Sequence, residues 1–216
     1  MIKLLNEDLI KIQSELQKRL AFPYQWMRVQ NDDFDNKTNF IYQIKIFEEL
    51  LLEIDKRFKS DKNFKSYFNY SLNRWFNFWS AFAVEKIFCS LPNVKPAFNH
   101  KDRLKDFSIH GITFDHKTTV FPKKYRATLE QAKQNTIALI RWLYENQSRQ
   151  KRKHYHNRLF IVLYSKDKNH WKLKAEILWL KDLIENYLSD FQPDELFSLK
   201  LTKDFTTLAD VIWAIK

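Results

Sequence analysis

From Ile2 to Leu20, apolar side chains fall at Leu5, Leu9, Ile12, Leu16 and Leu20. That three- and four-residue spacing puts them on one face of a helix. Pro23 breaks the pattern, and the polar run Asn31 to Asn36 reads as a loop. The spacing of Ile41, Ile44, Phe47, Leu51 and Ile54 predicts a second helix from about Thr38 to Phe58. A third runs from Phe64 or Leu72 to Ser90 and stops ahead of Pro92. After Pro96 the period changes to two, with alternation from Lys105 to Val120 around Gly111. Helical spacing returns over Tyr125 to Gln147, and the short apolar run Phe160 to Tyr164 predicts a central strand. Trp171 to Ile177 alternates again, Leu180 to Leu188 predicts a short helix, and Leu208 to Ile215 fits either element. Helices followed by a hairpin, helix, strand, strand and helix imply an α/β chain. The reading is a helical N-terminal region over residues 1–70 and a mixed-sheet core over 71–216.

Composition removes several chemistries. Hydrophobic residues at 44% and aromatics at 16% make a globular chain. The single glycine, Gly111, excludes a Walker loop, a dinucleotide-binding turn and a G-x-S-x-G elbow, each of which needs at least two. The single cysteine, Cys89, excludes an internal disulfide and a C-x-x-C metal pair. The opening residues reach Glu7 and Asp8 too early for a secretory leader, and apolar runs fall short of the roughly 18 residues of a membrane span. A soluble, cytoplasmic protein is therefore expected. The net charge of +11 attracts polyanions, of which nucleic acid is the commonest, although a Lys- and Asn-rich composition produces the same excess.

The alternating stretch Lys105 to Lys117 carries the chemistry. A two-residue turn at His110-Gly111 uses two residues that accept positive φ. It sets Ile109 opposite Ile112, Ser108 opposite Thr113, Phe107 opposite Phe114 and Asp106 opposite Asp115. Phe107, Ile109, Ile112 and Phe114 then share one face; Asp106, Ser108, Thr113, Asp115 and Lys117 share the other. Carboxylates directly opposite, with Cβ atoms about 4.5–5.5 Å apart, repel unless a cation intervenes. Lys117 is one such cation; a Mg²⁺ shared between hard oxygens is another. The competing account is a solvated hairpin face.

A third carboxylate, Glu85, lies on the stripe of Phe78, Ala81, Phe82 and Cys89 along a helix that is apolar nearly all round. Its alternatives are a helix-edge glutamate paired with Arg74 or a lysine, or a group in front of the hairpin joining Asp106 and Asp115 at a metal.

Glu85, Asp106 and Asp115-His116-Lys117, in helix–hairpin–helix–strand order over residues 72–165, resemble the PD-(D/E)xK nuclease superfamily. The resemblance implies a restriction-endonuclease-like mixed central sheet flanked by helices, and Mg²⁺-dependent hydrolysis of phosphodiesters, usually in DNA, with Mn²⁺ as a substitute. It assigns catalytic roles to Glu85, Asp106, Asp115 and Lys117. Asp106 and Asp115 would be metal ligands, with the His116 carbonyl and Glu85 completing the shell. The chain departs from the pattern in lacking a proline before Asp106 and in carrying a histidine where the x position is usually apolar. By alternation His116 falls on the Phe114 face, which suits a buried, satisfied histidine better than a ligand. Gln131 and Gln134 follow where some members place a functional glutamine; a solvated helix face also accounts for them.

Two basic clusters would meet a polyanion without reading its sequence. In the first, Lys95, Lys101, Arg103, Lys105, Lys117, Lys123, Lys124 and Arg126 outnumber Asp102, Asp106 and Asp115. The second runs from Arg149 to Arg158 and includes His154 and His156; a solvated connector explains it equally well. Trp26, Trp75 and Trp79 read as packing rather than as base-stacking platforms. A double-strand cutter needs two sites and hence a homodimer. A nuclease-like protein that binds nucleic acid without cutting it is the alternative function.

Overall fold

The computed structural model describes residues 2–26, 32–97, 105–146, 156–201, 203 and 205–216. They form two compact units: residues 1–84 with 174–179, and residues 85–173 with 180–216. This division, at 84/85, and the one expected at 70/71 both fall within one long helix.

The first unit is helical. It contains α1 (Ile2–Lys18), α2 (Asp32–Lys37), α3 (Phe47–Phe58) and most of α4 (Phe64–Cys89). Leu9, Leu16, Ile41, Leu50, Ile54 and Trp75 are wholly buried. The guanidinium of Arg19, also buried, donates to the carbonyls of Phe22 (2.6 Å) and Pro23 (3.0 Å) and to Asn73 Oδ1 (2.7 Å). Trp75 and Trp79 are buried and donate to the carbonyls of Ile44 and Ile41, so both serve packing.

Two expectations change here. The polar run after Asn31 is not a loop but forms α2, because Phe34 is buried against Tyr67 and Tyr70. The helix expected from Thr38 starts only at Phe47, after a 3-10 helix over Asn39–Tyr42. Glu15 of α1 accepts from the Phe47 N–H at 2.7 Å, capping α3 from a distant part of the chain.

The second unit holds a six-stranded mixed sheet flanked by helices. Its strands are β1 (Val94–Pro96), β2 (Phe107–Ile109), β3 (Ile112–Val120), β4 (Arg158–Tyr164), β5 (Phe197–Lys200) and β6 (Thr206–Ile215), in spatial order β1-β2-β3-β4-β6-β5. β3, β4 and β6 run parallel, while β1, β2 and β5 pair antiparallel at the two sides. β4 is central, and Phe160 to Leu163 are wholly buried, as the apolar run predicts; the charged Arg158 at its start is buried as well. Between β3 and β4 lie α5 (Leu129–Gln134) and α6 (Thr136–Asn146); β4 is followed by α7 (Ile177–Ser189). Phe160, Val162, Ala209 and Val211 pack on α5 and α6 through Leu129, Ala132, Leu139, Ile140 and Leu143.

The alternation of Trp171 to Ile177 does not make a strand. His170–Ala175 forms a 3-10 helix, begun by a turn in which Asp167 accepts from Ser165 and Asn169 and His170 Nδ1 accepts from the Ser165 N–H. The short strands β1 and β5 carry too few residues to announce a period. No helix among the described residues is long and apolar enough to cross a membrane.

Candidate active site at the hairpin

The turn is built as its sequence demands. His110 has φ 48° and Gly111 φ 82°, and the ladder behind them pairs Ile109 with Ile112, Ser108 with Thr113 and Phe107 with Phe114. Phe107, Ile109 and Phe114 are buried; Phe107 stacks on Phe88 from the end of α4, and Phe114 meets Phe191 just beyond α7.

The expected pairing of Asp106 with Asp115 is not part of that ladder. β2 begins at Phe107, and the Asp106 N–H donates instead to the Phe114 carbonyl at 2.8 Å. Past this point β3 has no β2 carbonyl for the His116 N–H. The Asp106 carboxylate supplies the acceptor: its Oδ2 takes the His116 N–H at 2.8 Å and the His116 Nδ1–H at 2.7 Å. Among the described residues Asp106 Oδ1 accepts no hydrogen bond. Burial raises the Asp106 carboxyl, but the His116 bonds and the charge of Lys117 outweigh it and hold the group below the usual carboxylate value. Asp106 therefore stays ionised at neutral pH.

Asp115 faces α6 and is buried. Its Oδ1 meets Lys117 Nζ at 2.7 Å and its Oδ2 accepts from Arg158 Nε at 3.0 Å. Lys117 and Asp115 share a face because they are two residues apart on β3; Arg158 shares it because it is the register partner of Asp115 on β4. Lys117 keeps 46% of its side chain exposed, whereas Arg158 keeps 9% and lies 5.1 Å from the centre of the Tyr144 ring. Burial pushes the Tyr144 hydroxyl up to about 12, partly opposed by its bond to Thr207 and the Arg158 charge. Asn157 holds the beginnings of three strands together, donating to the Thr113 carbonyl and accepting from the Leu208 N–H.

Glu85 is half-buried in the last turns of α4. Burial, with added repulsion from Glu85 and Asp106, pushes the Cys89 thiol up to about 12, so both carboxylates act on the same neighbour. Arg74, one partner considered for Glu85, is committed to Asp35, Thr38 and Tyr42. The convergence expected of Glu85, Asp106 and Asp115 is not a formed three-ligand cluster: no group of three His, Cys, Asp or Glu side chains able to hold a metal occurs among the described residues. Two carboxylates remain as hard oxygen donors of the kind Mg²⁺ takes, one with an open oxygen and one whose paired oxygens each retain a lone pair. By donor chemistry alone Asp106 and Asp115 are the residues that would hold a divalent cation; their own bonds engage them separately, Asp106 with His116 and Asp115 with Lys117 and Arg158.

In comparisons with protein-family models, curated proteins and solved structures, nothing matches this chain.

No pattern along the chain ties Arg158, Tyr144 or Asn157 to Asp115. Arg158 was one of a run of basic residues, and only the parallel pairing of β3 with β4 sets it opposite Asp115. Gln131 serves the helix: its side chain and that of Thr128 exchange bonds with each other's N–H in a capping box at the start of α5, and Gln134 is exposed. The bulk of the second basic cluster, residues 149–155 with His154, and Lys101, Asp102 and Arg103 of the first lie outside the described residues. A cavity of about 330 Å³ is lined by Asp190, Glu195, Asp210, Tyr187 and Phe191, among others. Burial raises the Asp210 carboxyl, which accepts from Tyr187 at 2.9 Å. With three carboxylates and no lysine or arginine in its wall, this cavity has the wrong charge for a phosphodiester, and the hairpin remains the candidate site.

Proposed function

We propose that this protein is a metal-dependent phosphodiesterase, an endonuclease acting on DNA, with a restriction-endonuclease-like core. The observation that carries the reading is the setting of Asp106, Asp115 and Lys117. One acid is anchored beside β3 with an oxygen open, while the second is buried on β3 and pairs with an exposed lysine two residues on. The element order supports it as well: Glu85 on a helix, an antiparallel hairpin, two helices, then a strand parallel to β3.

A divalent cation in such a site supplies polarisation of the phosphate and activation of the attacking water. Asp106 and Asp115 would hold it. Lys117, with its ammonium at the solvent boundary, is placed to offset charge developing on phosphate oxygens. Arg158 keeps the Asp115 carboxylate aimed while Lys117 exchanges partners. Glu85, on α4, is close enough to Cys89 to raise its thiol, as Asp106 does from the hairpin.

The test is cleavage of plasmid and linear DNA, and of RNA, with Mg²⁺ or Mn²⁺. Activity should vanish in EDTA, fall by about 10²–10³-fold in Lys117→Ala, the scale of losing a group that stabilises transition-state charge, and fall at least as far in Asp115→Ala, which removes a proposed metal ligand. Variants that cut as well as the parent would reject the assignment. A second reading, a nucleic-acid-binding protein that does not cut, draws on the double engagement of Asp115 by Lys117 and Arg158, which neutralises that carboxylate with no metal. Binding that survives EDTA, with no cleavage under any divalent ion, would select it.

A further inference from the structure

We infer that His116 is a positioning residue for Asp106, presenting one oxygen of that carboxylate for metal binding; this rests on the metal-dependent reading above. The argument begins with a missing acceptor. β2 ends its pairing at Phe107, so the His116 N–H would be left without a partner. Asp106 fills the gap with Oδ2 at 2.8 Å, but one hydrogen bond leaves a carboxylate free to pivot about it.

The imidazole removes that freedom. Nδ1 reaches the same Oδ2 at 2.7 Å, so two donors from one residue converge on one oxygen. The donor is a proton on Nδ1, because an ionised carboxylate only accepts. The ring itself is held: it is 6% exposed, lies parallel to Phe107 at 6.0 Å and 22°, and meets Phe88 at 6.1 Å. With Oδ2 doubly anchored, Oδ1 is the oxygen left to coordinate. An apolar residue in place of His116 would fill the same pocket and leave the main-chain bond intact, yet would return the pivot to Asp106. Groups that orient a ligand are worth about 10–100-fold in metal affinity.

Asparagine and glutamine separate positioning from mere packing. Asn carries its amide nitrogen where His has Nδ1, whereas Gln carries it near the place of Nε2. Mn²⁺ binding to the whole protein, without DNA, would be measured by calorimetry or by the electron paramagnetic resonance of free Mn²⁺. Folding of each variant is checked by circular dichroism. The parent should bind Mn²⁺; His116→Leu and His116→Gln should weaken binding about 10-fold or more, and His116→Asn should stay within about threefold of the parent. Should His116→Leu fail to fold, the Asn and Gln pair alone decides. Equal Mn²⁺ affinity in Asn and Gln variants, or parental affinity in a folded His116→Leu, overturns the inference. If at the same time Asp106→Ala abolishes binding, the metal-dependent reading survives that result. A parent protein that binds no Mn²⁺ removes both.

Discussion

Arg158 and Asp115 show how a single residue pair sets the chemistry of the face they share. Each side chain is 9% exposed, and the bond between them spans adjacent parallel strands. Removing one partner of a buried ion pair leaves an uncompensated charge, worth about 3–5 kcal/mol when nothing replaces it. Here Lys117 remains on the other oxygen of Asp115, so Arg158→Met should destabilise the fold by about 2–3 kcal/mol. Combining it with Asp115→Asn should cost less than the two separate losses added, by about 1 kcal/mol or more, because both remove the same contact. Urea unfolding of the four proteins measures this, and strictly additive losses would show that the pair is not energetically coupled. The same pair accounts for the burial of Asp115, which rules out the competing account of a solvated hairpin face for that residue: Arg158, stacked over Tyr144, covers it.

At the level of elements, the hairpin turn governs which side chains reach which face. A slip of one residue would exchange the Phe107–Phe114 face with the Ser108–Thr113 face, burying polar groups. Gly111 protects the register by adopting φ 82°, and a Cβ placed there meets nothing within 4 Å. The cost of Gly111→Ala is thus purely one of backbone strain, about 1–2 kcal/mol. His110→Asn keeps a residue that tolerates φ 48° but gives up the ring facing Phe191 at 6.0 Å, and should stay within about 1 kcal/mol of the parent. Thermal unfolding of both variants checks the ordering. A Gly111→Ala protein as stable as the parent would mean that the turn does not hold the conformation described.

For the whole molecule the leading quantity is the net charge of +11. A protein that neutralises phosphates releases their counterions, so its affinity for DNA falls as salt rises. With roughly four phosphates contacted, binding should weaken by about 100-fold between about 50 and about 200 mM salt. Fluorescence anisotropy of a labelled duplex, in EDTA so that nothing is cut, gives the slope. Salt-independent affinity, or no affinity at low salt, would show that the charge excess is compositional rather than a binding surface.

Periodicity and composition alone determined a good deal: the long helix ahead of the hairpin, the two-residue turn with its three cross-strand pairs, the buried strand β4 and the exclusion of glycine-rich phosphate loops. These are local matters, decided by φ preferences and by which neighbouring side chains share a face. Tertiary structure decided what depends on partners far along the chain. It placed Arg158 beside Asp115, capped α3 with Glu15, made α2 from a polar run by burying Phe34, and turned Asp106 from its expected partner toward His116. Strand pairing and unsatisfied backbone groups join residues through space, so no repeat along the chain records which acceptor a donor will find.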